Sequence, residues 1–256
     1  MSVVIVAVFG LILGSFLNVC IHRLPKDESI VAPGSHCPKC NRSIPWYDNI
    51  PVLSYLLLLG RCRFCREKIP VKYPVVEVLT AAIVTALFLK FGLHPKFFSY
   101  ALMSAGLIVV TFIDFEHGVI PDMITMGGIV AGLILAVVFP SVVGQANILG
   151  ALLNSGGGAL VGGISIFLIG LLGKAMFKKE AMGEGDIWLL AMIGSFLGFK
   201  MTVLAFFIAP FFGAIVGIIL KIKDGRETIP YGPYLSLAAL VSIFFAEKML
   251  SYYKIY

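Results

Sequence analysis

The sequence predicts an all-α polytopic membrane protein with about eight transmembrane helices and a small cytoplasmic four-cysteine insert between the first two. Three observations predict it. Hydrophobic residues make up 59% of the chain and charged residues 13%, with a mean hydropathy of +0.98. Soluble domains run at about 45–50% and about 25%, so the bilayer is the expected solvent. Apolar runs near the length of about 20 residues that a bilayer core demands recur at 2–21, 73–92, 97–115, 120–139, 147–173, 186–199, 201–221 and 233–251. Finally, the basic residues partition unevenly between the two sides that these spans define.

The first run, 2–21, has no positive residues ahead of it and no small-x-small cleavage site after it. Arg23 and Lys26 follow the run, which fits a retained helix with an external N-terminus. Residues 22–72 are polar, basic and proline-rich and form the insert; residues 73–256 hold the other seven spans. Phe199-Lys200-Met201 is then a very tight external turn. With the N-terminus outside, the inner loops carry Arg23, Lys26, Lys39, Arg42, Arg61, Arg63, Arg66, Lys68, Lys72, Lys174, Lys178, Lys179, Lys221, Lys223 and Arg226. The outer ends carry Lys90, Lys96, Lys200, Lys248 and Lys254, so the division is fifteen against five. The positive-inside rule therefore places both termini outside and the insert in the cytoplasm. The net charge of +6 reports this orientation. No basic–aromatic stripe points to nucleic acid. No repeat of fixed period is expected.

Four of the five cysteines lie in the insert, as Cys37-Pro-Lys-Cys40 and Cys62-Arg-Phe-Cys65 with 21 residues between the pairs. Two thiolates three positions apart chelate one tetrahedral ion from a tight turn, and two such turns close the site. The competing reading is two disulfides, which are rare in the reducing cytoplasm. Zinc on four thiolates is the expectation. Such a closed site is structural, because no coordination position remains for water. About 50 residues build too small a core alone, and the metal supplies the missing stability. Cys20, in the first helix, reads as a small apolar residue.

Acidic residues at membrane depth are costly and mark functional positions. Glu77, Asp114 and Asp186 stand out. Asp114 ends the apolar run 101–113, and Asp186 precedes the run 187–199 within Met182-Gly183-Glu184-Gly185-Asp186. The topology puts both at the cytoplasmic face, matched in depth. Two apposed Asp residues cannot both ionise and share one proton. The ionised member activates water and the protonated one polarises a scissile carbonyl. Gly183 and Gly185, lacking Cβ, permit a strained loop and close approach of a substrate backbone. Taken singly, either aspartate reads equally well as a helix cap at the interface.

The combination resembles the type IV prepilin peptidase family. Residues 14–25, Gly-Ser-Phe-Leu-Asn-Val-Cys-Ile-His-Arg-Leu-Pro, look like its opening motif, followed by the paired CxxC insert and Tyr73-Pro74-Val75-Val76-Glu77. Ile113-Asp114 through Ile120-Pro121-Asp122 is similar to the first catalytic segment, and Gly183-Glu184-Gly185-Asp186 to the GxGD segment. Ile229-Pro230-Tyr231-Gly232-Pro233-Tyr234 resembles a late motif. The resemblance covers nearly the whole chain in order. It implies an aspartic dyad of Asp114 and Asp186, acting at the bacterial inner membrane on prepilins and pseudopilins. Cleavage follows a Gly that ends a short basic leader, and the new N-terminal residue, usually Phe, is methylated from S-adenosylmethionine. The four-cysteine insert accompanies the bifunctional form. One departure is Trp188, where the family often has Lys. It bears on charge tuning or substrate contacts rather than on the dyad.

Asn18, His22, Arg23 and Glu77 are possible contacts of the substrate or the methyl donor. Glu77 is read equally as a polar helix–helix hydrogen bond, and Arg23 as a side chain snorkelling to the interface. Glu116, His117 and Asp122 are polar residues near the dyad. Gly156-Gly157-Gly158 lies inside a span, where helix packing is expected, and no Rossmann fingerprint is present. Two other classes compete. A cation transporter would place its carboxylates nearer the bilayer midplane. A non-enzymatic membrane assembly protein with a zinc knuckle gives no reason for two depth-matched aspartates.

Overall fold

The computed structural model describes residues 2–178, 182–224 and 229–252; Lys179, Arg226 and Lys254, counted among the charges above, lie outside the described residues. The helices are α1 (Val3–Arg23), a short α2 (Leu53–Leu57), α3 (Lys72–Phe91), α4 (Pro95–His117), α5 (Asp122–Val138), α6 (Ile148–Phe177), α7 (Glu184–Leu197), α8 (Phe199–Asp224) and α9 (Gly232–Tyr252). Among the described residues there is no strand, only two isolated β-bridges in the insert. Two compact units result, Met1–Phe97 and Phe98–Tyr256.

Among the described residues five helices are long and apolar enough to cross a membrane: Val3–Lys26, Lys72–Phe91, Pro95–His117, Ile148–Met176 and Phe199–Leu220. Two more, Asp122–Val138 and Gly232–Ala246, are apolar but shorter. The chain is thus an all-helical membrane protein. At 1.5 Å per residue α7 is about 21 Å long, short of a hydrocarbon core of about 30 Å. The expected turn at Phe199-Lys200-Met201 lies elsewhere: Gly198 alone separates α7 from α8. Its φ of +74° suits glycine, and a Cβ there would meet the Asn154 side chain at 2.8 Å. Asn154 secures the corner. Its Oδ1 accepts the Phe199 N–H at 2.9 Å, while its Nδ2 donates to the Val143 carbonyl at 2.8 Å.

In the first unit α1 packs on α3 through Gly10 and Gly14. A Cβ at either would lie 2.6 Å from the Cα of Ala81 or Glu77. Membrane helices have no hydrophobic drive toward each other, so small residues that let backbones close up carry the association.

The same device builds the second unit around α7. Gly128 and Gly132 of α5 press on Met192 and Ser195, and Gly158 and Gly162 of α6 press on the backbone at Gly194 and Leu190. Of the three consecutive glycines, Gly158 makes this contact, whereas Gly156 and Gly157 face open space. The Ser155 hydroxyl donates to the Ser195 carbonyl across the same seam. Every residue of α7 from Leu189 to Leu197 is buried. A short apolar helix is stable here because protein, not lipid, surrounds it. α6 and α8, by contrast, expose rows of leucine, isoleucine and phenylalanine as lipid-facing helices do.

Candidate active site and metal centre

Each knuckle of the insert is a tight hairpin. The Cys37 N–H donates to the Arg42 carbonyl at 3.0 Å and the Asn41 N–H to the Cys37 carbonyl at 2.8 Å. Twenty-five positions later the Cys62 N–H donates to Glu67 at 2.8 Å and the Arg66 N–H to Cys62 at 3.0 Å. Asn41 and Arg66 have φ of 55° and 59°, and the bridges His36–Ser43 and Arg61–Lys68 close the two turns. The insert is therefore an internal repeat, contrary to the expectation of none. Its signal was the recurrence of C-x-x-C-x-x-x-I-P at residues 37–45 and 62–70.

The four sulfurs lie within 4.8 Å of one another, and Cys37 Sγ is 3.7 Å from Cys65 Sγ. All five cysteines are free thiols. Tetrahedral Zn–S bonds of about 2.3 Å put sulfurs about 3.8 Å apart, so the quartet has the right span for one metal ion. Backbone N–H groups of Cys65 and Phe64 pull the Cys62 thiol down to about 7. Cys65 is pushed up to about 12, with the neighbouring sulfurs adding to desolvation.

Asn18, His22, Arg23 and Glu77 all border one cavity of about 430 Å³ between α1, α3 and the insert, with Tyr55 and Tyr73 also in its wall. The Asn18 amide donates to the Tyr73 carbonyl at 3.0 Å. His22 Nε2 lies 3.2 Å from Lys26 Nζ. Arg23 does not snorkel. It is buried, and its guanidinium donates to the carbonyls of Ser29 at 2.8 Å and Pro33 at 2.6 Å, folding the start of the insert over the end of α1. Glu77 Oε2 accepts the Val52 N–H at 2.7 Å and the Ser15 hydroxyl also donates to this carboxylate, so Glu77 joins α1, α3 and the insert.

In the second unit Asp114 and Asp186 are both buried and lie within electrostatic reach of each other. Asp114 is one turn inside the end of α4, and its Oδ2 accepts the Gly232 N–H at 3.0 Å. That N–H opens α9, so the carboxylate sits at a helix N-terminus, where the dipole favours an anion. A Cβ at Gly232 would meet Asp114 Oδ2 at 2.8 Å, so glycine is what allows the approach. Asp186 is not the cap of α7. Gly183 is, and Asp186 Oδ2 accepts its N–H at 3.2 Å. Asp186 Oδ1 is buried and has no protein partner among the described residues. Capping thus uses one oxygen and leaves the other aimed into the site.

The GxGD glycines act otherwise than expected. Neither has positive φ, so no strained loop is present. Instead a Cβ on Gly185 would meet Ile120 Cβ at 2.7 Å, and its absence lets the α4–α5 connection close on α7. Tyr231 is a further member of the site. Burial pushes its phenol up to about 12 and the Asp186 charge adds to this, so it stays a neutral hydroxyl. The Tyr234 hydroxyl is buried with no partner among the described residues. Both belong to the late motif, whose quoted residues carried no assigned role. Glu116 and His117 lie 4.0 Å apart, Asp122 starts α5, and Trp188 is partly exposed on α7.

Residues 8–91 match the bacterial peptidase A24 N-terminal domain, and residues 101–218 match the Type IV leader peptidase family. A Myxococcus xanthus protein named prepilin leader peptidase/N-methyltransferase is 40% identical over 86% of this chain and 63% of its own length. A Pseudomonas aeruginosa protein of the same name is 31% identical over 95% of this chain and 90% of its own. An Escherichia coli type 4 prepilin-like proteins leader peptide-processing enzyme is 36% identical over 94% and 93%. No solved structure matches. With both family domains in order and such relatives aligned end to end, this chain belongs to the Type IV leader peptidase family.

Proposed function

We propose that the chain cleaves the basic leader from prepilins and pseudopilins with Asp114 and Asp186 as its catalytic dyad, and then N-methylates the new N-terminal residue. The observation that supports the dyad is a pair of buried carboxylates within electrostatic reach of each other, each held by one backbone N–H, with Asp186 Oδ1 left without a protein partner among the described residues. Two such groups hold one proton between them. The ionised carboxylate takes a proton from water as its oxygen attacks the scissile carbonyl carbon. The protonated carboxyl donates to the carbonyl oxygen. Collapse of the tetrahedral intermediate breaks the C–N bond, and a proton passes to the leaving amine. Tyr231, as a neutral hydroxyl beside Asp186, is placed to donate to the substrate.

The relatives' names support the second activity. S-Adenosylmethionine, when bound, supplies an electrophilic methyl group. The cavity bordered by Asn18, His22, Arg23 and Glu77 has a size suited to such a ligand. The Glu77 carboxylate opposes the donor's positive charge, and Tyr55 and Tyr73 offer ring faces to its base. Cys37, Cys40, Cys62 and Cys65 would hold zinc as a closed structural site, which would stabilise the insert bordering this cavity and take no part in the chemistry. The reading includes eight spans in the bacterial inner membrane, with both termini outside and the insert and dyad on the cytoplasmic side. It divides the chain into a first helix at 1–21, the insert at 22–72 and a seven-helix peptidase domain at 73–256. Lipid and the prepilins are its partners.

Cleavage of a prepilin peptide by the purified protein tests the dyad. Asp114→Asn and Asp186→Asn should each lower kcat by about three orders of magnitude or more. Full activity in either variant would remove the dyad.

A further inference from the structure

Residues 50–59, Ile-Pro-Val-Leu-Ser-Tyr-Leu-Leu-Leu-Leu, carry no charge inside an otherwise polar insert. Leu56, Leu57 and Leu59 are 62%, 74% and 85% exposed. An exposed cluster of this kind marks an interaction surface. Its place in the first unit says which. The Val52 N–H bonds Glu77 Oε2, and Glu77 is five residues, about 7.5 Å, beyond the start of the membrane-spanning α3. Val52 pays for this attachment with a φ of +60°, a costly conformation for a β-branched residue. Around Glu77, α3 exposes Val75 and Val78, and α1 exposes Ile12 and Phe16, as lipid-facing helices do.

We propose that residues 50–59, with α2 at their centre, form a lipid-inserted anchor that continues the bilayer-facing surface of α1 and α3. Three further features fit a lipid occupant. The backbone is satisfied internally, as an apolar solvent requires: Ser54, Leu56, Leu58 and Gly60 N–H groups reach Ile50, Val52, Ser54 and Tyr55 carbonyls at 2.8–3.1 Å. Ser54 Oγ donates to the Tyr47 carbonyl at 2.9 Å and accepts the Ile50 N–H at 3.1 Å. Arg61 follows at once and complements anionic headgroups. Trp46, 80% exposed, is of the type found at membrane–water boundaries. The insert is then moored at three places: by Arg23 where it leaves α1, by Glu77 at Val52, and by these leucines in the lipid.

The full chain carrying Trp46→Phe, Trp188→Phe and Leu57→Trp, in phosphatidylethanolamine–phosphatidylglycerol vesicles, tests this. Acyl-chain-brominated lipid should quench about half of the emission or more, while aqueous iodide quenches far less than it does free tryptophan, as expected about 5–10 Å below the headgroups. Strong iodide quenching without bromine quenching would overturn the anchor. Protection from both quenchers would also overturn it, since a protein partner would then cover the leucines. Adding Glu77→Ala should shift quenching from bromine toward iodide; unchanged quenching would refute the Glu77 mooring.

Discussion

The cysteine quartet and the aspartate pair are both clusters of reactive side chains, yet they are held by opposite means. The cysteines sit on two copies of one hairpin, partly exposed, with every turn-forming hydrogen bond inside a stretch of ten residues. The aspartates come from α4 and α7, are buried, and are fixed by glycines that let α5, α6 and α9 approach. A metal site of this sort is local and needs its ion for stability. A dyad in a packed bundle needs no ion, but it fails if any neighbouring helix shifts. The chain thus pairs a locally built four-cysteine cluster with a pair of aspartates that only a packed bundle brings near each other.

The largest expected effects separate the two regions by activity. Asp186→Asn should abolish cleavage while methylation of a synthetic, already cleaved pilin peptide stays within about threefold of wild type; equal loss of both would break the division. Cys37→Ser with Cys62→Ser should do the reverse. Metal content by mass spectrometry should fall to background, methyl transfer should vanish and cleavage should persist. A variant that keeps stoichiometric metal would refute the four-thiolate site. Acid should act on the same site, because ligation requires thiolates: metal retention should be complete at neutral pH and fall as pH drops. Retention unchanged by acid would count against thiolate ligation.

A smaller effect tests the rigidity of the bundle. A Cβ at Gly194 would strike the Gly158 carbonyl, so Gly194→Ala should destabilise by roughly 1–3 kcal/mol, the usual cost of overpacking. Thermal unfolding in detergent measures it; an unchanged midpoint would show that the seam yields. The smallest effect belongs to the insert's surface. The Arg63 guanidinium grips Asp48 through two hydrogen bonds and holds its carboxyl below the usual carboxylate range. A depressed folded pKa contributes stability above the ordinary value, which is lost as pH falls through the folded value. Asp48→Asn should therefore lower the insert's melting slightly at pH 7, by an amount that shrinks as pH falls through the carboxyl's lowered pKa.

Much of this was legible in the residues. The length of the apolar runs placed every long helix, because a chain that must satisfy its backbone in lipid has few alternatives to helix. The CxxC spacing announced the metal site, because hairpin chelation is set by neighbours in sequence. The hairpin repeat was equally visible and escaped notice, since its two copies share only Cys, Ile and Pro. Other features had no signal of their own. The single-residue corner at Gly198 depends on Asn154, which lies 44 positions earlier. The bond from Val52 to Glu77 and the place of Gly232 against Asp114 depend likewise on distant segments.

By itself, then, the sequence determined the solvent, the helices, the four thiolate ligands and two acidic residues too costly to be incidental. Only the tertiary structure decided that Asp114 and Asp186 are both buried within electrostatic reach of each other, because 72 positions of chain separate them and their approach rests on which helices pack. It also turned the role of Gly185 from backbone freedom to contact with Ile120. A missing Cβ matters for the neighbour that takes its place, and the identity of that neighbour is a property of the packed bundle.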